Sequence, residues 1–189
     1  MAEQSSGAPS RAPIAAGLVG VAALIASAVV SVEPENKAAE GEKLVGYLDQ
    51  GHIATICSGH TGPEVRVGMK ATPAQCSAWY RQDMTAKMKA VIRITPRIAE
   101  NVNALKASGD FAFNAGEGWY AKSPMAAHFA KGEWAAGCNA FPGFITLYRA
   151  PKAVPGQNCR TVKGVLYCEA RGLVARRLKE QAICLGKAA

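Results

Sequence analysis

Apolar and polar positions divide the chain into an N-terminal apolar zone and a longer mixed zone. Residues 1–12 are small and polar and carry Glu3 and Arg11, which reads as a polar tail. From Pro13 to Val32 the run PIAAGLVGVAALIASAVVSV contains no charged side chain. As a helix rising 1.5 Å per residue it would cover about 30 Å, the thickness of a bilayer core. Only Ile14, Leu18, Leu24 and Ile25 are long aliphatics among Ala, Gly, Val and Ser, so its drive into lipid is weak. Arg11 before it and Glu33 and Glu35 after it orient the N-terminus toward the cytoplasm.

The mixed zone, residues 33–189, alternates periodic segments with turn signals, the pattern of a single domain able to bury its own core. Pro34 to Gly46 reads as a short helix. Asp49-Gln50-Gly51 followed by the β-prone run Ile53 to Cys57 predicts a small hairpin, with Val65 to Met69 as a third strand. Thr72-Pro73 is a capping hydroxyl followed by proline at the first turn, predicting a helix to about Ile92. Pro96 opens the next helix, which Gly109 would end. Phe111–Ala115, Ser123–Lys131 and Glu133–Ala140 read as shorter helices separated by Gly118, Gly132 and Pro142. Phe144 to Ala150 fits either strand or helix. Between Pro151 and Cys168 turn residues dominate, and Cys159 and Cys168 bracket a loop or pinned hairpin. Arg171 to Leu185 is a final basic helix stopped by Gly186.

The apolar run 13–32 admits three readings. It is a cleaved export signal, with Ala26-Ser27-Ala28 as a small-residue cleavage site; or a permanent anchor; or an uncleaved signal that inserts and later leaves the bilayer. Hydropathy alone does not choose. The net charge of +8 points to an anionic partner. Aromatic residues do not interleave with the Lys/Arg clusters at Lys87–Arg97 and Arg171–Lys179, so nucleic acid is not the expected partner. Six cysteines, an even number without CxxC spacing, argue for disulfides in an oxidising compartment and against a metal site. No cofactor is expected. Of the 15 possible pairings, Cys57–Cys76, Cys138–Cys184 and Cys159–Cys168 are the expected set.

The stretch Glu40 to His60 carries the candidate chemistry. Glycoside hydrolysis needs two carboxyl groups flanking the bond, one protonated for the leaving oxygen and one ionised. Glu40, at the end of a helix, can be partly dry, and desolvation lets a carboxyl keep its proton near neutrality. Asp49 stands in a polar turn, and Thr55 on the next strand could help it position a water. Spacing alone does not single them out, because 14 acidic residues supply many such pairs.

The surrounding residues add to this. Glu40-Gly41, Leu44, Tyr47, Asp49, Gly51, Thr55-Ile56 and Gly59-His60 together resemble the signature of the phage-type lysozymes. Downstream, Thr72-Pro73-Ala74-Gln75-Cys76 resembles that family's helix start. Phe113-Asn114-Ala115-Gly116 resembles its core Asn-x-Gly motif, and Gly172 to Arg177 with Glu180 resembles its C-terminal helix. The likeness covers roughly residues 36–186. It implies an α+β lysozyme-like fold, a small β-hairpin lobe plus a larger helical lobe, preceded here by the N-terminal hydrophobic helix. Residues 1–12, 13–32 and 33–189 would then be tail, signal-anchor helix and catalytic domain. Carried over, Glu40 is the general acid, with Asp49 and Thr55 positioning or activating water. The implied substrate is peptidoglycan, cut between N-acetylmuramic acid and N-acetylglucosamine by a monomeric endolysin. His60 is expected to be structural, holding the hairpin through a hydrogen bond.

Some relatives of that family carry a signal-arrest-release helix that tethers the enzyme to the host inner membrane before release into the periplasm. Residues 13–32 resemble such a helix. No cysteine precedes Cys57, so disulfide exchange starting from this segment cannot control release. Two departures from the family pattern stand out. Cys57 occupies a position where many members have glycine, and Pro151–Cys168 resembles an added or altered loop. Two other activities fit the same residues: a membrane-anchored peptidoglycan-binding protein without catalysis, and a lytic transglycosylase in which a glutamate acts alone. The combination of Glu40, Asp49 and Thr55 favours hydrolysis over both.

Overall fold

The computed structural model describes residues 14–49, 51–144 and 146–187, with the side chains of residues 14–19 and 35–40 outside that set. The expected polar tail, Pro13, Gln50 and the Glu40 side chain therefore lie outside the described residues. The architecture is lysozyme-like α+β: a helical lobe, a two-stranded hairpin lobe and a separate three-stranded sheet.

Helix α1 spans Ile14–Glu40 and contains the apolar run. It continues through Pro34 instead of restarting there, so the short helix expected over Pro34–Gly46 is a correction: its second half is strand. Ile25, Ala28, Val29 and Val32 are buried. Their spacing of three, four and seven places them on one helical face. That face joins Tyr80, Met84, Met88, Leu105 and Phe111 in the main core. Burying an aliphatic side chain of this size is worth about 1.5–3 kcal/mol, so α1 is a structural member of the lobe. Buried Glu33 accepts a hydrogen bond from Arg81 Nε at 2.7 Å, tying the apolar run's polar end to the next helix. Among the described residues no helix is long and apolar enough to cross a membrane.

Strands β1 (Lys43–Leu48) and β2 (Ala54–Cys57) pair antiparallel, with Tyr47 opposite Thr55 and Lys43 opposite Cys57. The third strand expected over Val65–Met69 does not form. That segment turns instead, with Gly68 at φ 80°, and its end meets β1 where Gly46 exchanges backbone hydrogen bonds with Met69 and Gly68, continued by a single bridge between Val45 and Lys70. A second, smaller core of Ile56, Cys57, Val65, Ala71 and Cys76 lies under the hairpin.

Helix α2 (Pro73–Ile94) begins at the expected capping hydroxyl: Thr72 Oγ1 accepts from the Gln75 N–H, and the Thr72 N–H donates back to Gln75 Oε1. After a 3-10 turn at Pro96–Glu100, α3 runs Val102–Ala115, capped by Asn101. Gly109 was expected to end a helix, yet α3 passes through it. An added Cβ there would lie 2.8 Å from Met88 Cγ, so this glycine serves close helix packing, not termination. Helices α4 (Glu117–Ala121), α5 (Pro124–Lys131) and α6 (Trp134–Asn139) follow; α4 had no sequence expectation.

Leu147–Arg149 (β3), Cys159–Val162 (β4) and Val165–Glu169 (β5) form a sheet in the order β3-β5-β4. Cys159 faces Cys168 directly and is bonded to it, and Lys163 and Gly164 turn the hairpin with positive φ. Helix α7 (Arg171–Cys184) closes the chain against α3. The other two disulfides, Cys57–Cys76 and Cys138–Cys184, also form as expected.

Candidate active site

The hairpin turn is built around Asp49. Its Oδ1 accepts hydrogen bonds from the Gly51 N–H at 2.8 Å and the Ile53 N–H at 2.9 Å, and its own N–H donates to the Ile53 carbonyl at 3.0 Å. Short polar side chains that bond the backbone a few residues on favour this kind of turn. Thr55 is buried in β2, and its hydroxyl donates to that same Ile53 carbonyl at 3.0 Å. One peptide group therefore joins the two residues: Asp49 and Thr55 are held in a fixed relation by Ile53.

Beyond Thr55, β2 ends in an unusual backbone. Cys57 has φ 58°, the left-handed region that glycine adopts freely and a Cβ disfavours. Its disulfide to Cys76 anchors that turn to α2. Ser58, next along, donates through Oγ to the Gly41 carbonyl at 3.3 Å. Gly41 follows Glu40, so the backbone at the end of α1 is tied to this turn.

His60 then bridges the lobes, the structural role expected of it. Its Nδ1 lies 2.7 Å from Asp83 Oδ2 on α2 and its Nε2 lies 2.9 Å from Glu64 Oε1, while the ring stacks on Trp79 at 4.9 Å. Burial works to lower the His60 pKa, but the two carboxylate hydrogen bonds outweigh it and hold the imidazolium above its ordinary range.

Between the lobes is an open cleft of about 470 Å3. Ser58, Gly59 and Thr61 form the hairpin side; Asp83 and Lys87 of α2 and Asn114 of α3 stand opposite. Asp49 and Thr55 belong to the hairpin that supplies the first wall. Among the wall residues, Ser58, Asp83 and Lys87 carried no site expectation. Lys87 lies in a basic cluster visible in the sequence, but nothing local to Asp83 signals its pairing with a histidine 23 residues away.

Asn114 is itself positioned from behind. Arg177 on α7 donates through Nη2 to Asn114 Oδ1 at 2.9 Å and to Glu180 Oε1 at 2.6 Å, with its guanidinium carbon 4.4 Å above the Phe111 ring. Arg176 Nη2 donates to Asp110 at 2.7 Å. Arg177 and Glu180 are fully buried. Burial, reinforced by Asp110, pushes the Glu180 carboxyl well up, against the pull of the two arginines. These four charged residues lock α7 to α3, which explains the basic-acidic pattern of the final helix.

Comparison with known proteins agrees with this architecture. The chain is 27% identical over 131 residues to the SAR-endolysin of Enterobacteria phage PA-2, covering 68% of this chain and 78% of that protein. The SAR-endolysin of Enterobacteria phage P21 is 26% identical over the same length and shares. Among solved structures, a mutant of P22 lysozyme superposes with TM-score 0.62 at 25% identity, covering 84% of this chain and 95% of that one. The active form of P1 phage endolysin Lyz gives TM-score 0.63 at 23% identity, over 88% of this chain and 93% of the other. The Phage lysozyme family model matches residues 37–180, which takes in the hairpin, the cleft and most of α7: the chain belongs to the phage lysozyme family.

Proposed function

We propose that this chain is an endolysin that hydrolyses peptidoglycan at the β-1,4 bond between N-acetylmuramic acid and N-acetylglucosamine. Glu40 protonates the leaving glycosidic oxygen as that bond breaks. Asp49 and Thr55 orient the water that adds to the anomeric carbon and leaves a reducing end. What supports the proposal is the linkage of Asp49 and Thr55 through the Ile53 carbonyl, in the hairpin whose following residues Ser58, Gly59 and Thr61 wall a cleft bordered by both lobes. Because Asp49 Oδ1 is engaged in the turn, Oδ2 is the atom available to a water. The Thr55 proton is likewise committed to Ile53, which leaves its oxygen as an acceptor. A protein that only bound wall polymer has no need of Glu40, Asp49 and Thr55 together.

The chain acts first at the host inner membrane, through residues 13–32, and then in the periplasm as a monomer. Retention of that segment is supported by its packing: cleavage after Ala28 would take Ile25 and Ala28 out of the core. N-terminal sequencing of the periplasmic protein checks this point, and a terminus beginning at Val29 would overturn it.

The catalytic proposal is tested with purified wall and mass spectrometry of the released muropeptides. Wild type should release fragments with reducing ends, and Glu40→Gln should lose at least about 100-fold in rate, as expected on removal of a general acid. Anhydro ends would identify a transglycosylase instead. Full activity in Glu40→Gln would remove Glu40 from the mechanism.

A further inference from the structure

The sheet formed by β3, β4 and β5 has one row whose composition its structural role does not explain. On β5, Tyr167 lies opposite Arg149 of β3 on one side and Arg160 of β4 on the other. Residues directly opposite across a sheet share a face, so an aromatic ring is flanked there by two guanidinium groups. Both arginines are exposed and Tyr167 is half-buried. The disulfide between Cys159 and Cys168 fixes the neighbouring rung and with it the register of the row.

This face connects with the catalytic cleft through a series of depressions that share walls. Asn114 borders both the cleft and a hollow of about 420 Å3 between α3 and α7. Ala175 borders that hollow and a further one of about 280 Å3 beside Arg171. The hydrogen-bonded pair Asn158 and Glu169 then separates the third hollow from a fourth, also about 280 Å3, which Arg160 lines. The acids along this path are already engaged: Asp83 by His60, Asp110 by Arg176, and Glu169 by Asn158. The Asn158 amide leaves the Glu169 charge in place, but at the outer end Arg149, Arg160 and Arg171 outnumber that single carboxylate, so the balance there is positive.

We propose that Arg149, Tyr167 and Arg160 form an accessory binding surface for the acidic peptide stems of peptidoglycan, continuous with the catalytic cleft. A wall glycan presents alternating sugar faces and short peptides ending in carboxylates. Guanidinium groups match carboxylates in geometry and charge, and an aromatic ring offers a flat apolar face to a sugar or an aliphatic stem. The proposal rests on peptidoglycan being the substrate, but it concerns binding and not bond cleavage.

The test is co-sedimentation of the full chain with three probes: intact sacculi, sacculi stripped of peptides by an amidase, and phosphatidylglycerol vesicles. Arg149→Ala/Arg160→Ala should weaken binding to intact sacculi about tenfold, the change expected for loss of two exposed ion pairs. Binding to stripped glycan should not change, and Arg149→Lys/Arg160→Lys, which keeps the charges but not the planar forks, should retain only part of the affinity that the alanine variant loses. An unchanged melting temperature in the alanine variant shows that the sheet is intact. Equal binding by wild type and variant, equal loss on stripped glycan, or a loss seen only with vesicles overturns the proposal. Muropeptide release by wild type is measured in parallel. Its absence, with peptide-dependent binding still present, would remove the glycosidase reading and leave the binding surface standing.

Discussion

At the scale of single residues, His60 carries the clearest pH dependence. Its pKa is raised in the folded protein from an ordinary 6.5, so its contribution is complete below that value and fades as pH rises through the folded value. Glu64 behaves oppositely: a backbone N–H first, and His60 second, hold its carboxyl below an ordinary 4.5, so its share is lost as pH falls. The network is therefore strongest between those two values. Asp83→Asn should lower the melting temperature markedly at pH 5.5 and much less at pH 9, which thermal scans of both proteins across pH will check. An equal drop at both pH values would mean that the imidazole is bound as a neutral group. This pairing was invisible in the sequence because Asp83 reads as one of many polar positions on a helix. The mutual placement of Asp49 and Thr55, by contrast, was legible because one short hairpin holds both, although only the resemblance to the family signature marked them out as candidates. Cys57 lies between these cases: its resemblance to a glycine position was visible, while its left-handed φ and its bond to Cys76 give the physical content of that substitution.

At the scale of elements, local signals were most reliable where a side chain makes the signal itself. Thr72, Pro73 and Gln75 start α2 as read, because the capping box is complete within four residues. Glycine was read less well. Gly109 lies inside α3, where packing against Met88 overrides its usual breaking tendency, and no local pattern distinguishes that use from a helix end. Gly46 shows the same principle in a strand: an added Cβ would lie 2.2 Å from the Arg66 carbonyl oxygen. Gly46→Ala should destabilise the hairpin lobe by about 1–3 kcal/mol, as overpacking does, with loss of lytic activity; denaturant melts and a turbidity assay measure both. The disulfides rank by the chain they close. Separation is 46 residues for Cys138–Cys184 and 9 for Cys159–Cys168. On the loop-entropy relation, removal should cost about 4 and about 2.7 kcal/mol respectively. Paired serine variants followed by denaturant titration should reproduce that order.

At the scale of the whole molecule, the division into lobes followed from the sequence, but the role of the first helix did not. The run from Pro13 to Val32 reads as uniformly apolar, and only packing reveals which of its faces the protein uses. Val29 is almost fully buried among core residues. Val29→Asp should therefore unfold or severely destabilise the domain, by about 3–5 kcal/mol for an unpaired buried charge, as measured by circular dichroism on purified protein. Val30→Ser, one residue on, should leave the melting temperature nearly unchanged, because that side chain is exposed.

The contrast between these neighbours has a wider consequence. A lipid environment surrounds a helix on every side, so partition into it depends on the summed apolarity of all faces. Among the described side chains, the folded domain uses the stripe at Ile25, Ala28, Val29 and Val32, flanked by Val21 and Leu24, and leaves Ala23, Ala26, Ser27 and Val30 to solvent. On the proposed route through the membrane, one segment would therefore answer to two separate demands. Leucines introduced at the outward positions should strengthen its partition into lipid vesicles while leaving the melting temperature of the folded domain nearly unchanged, so the timing of the proposed release could drift in evolution without change to the fold.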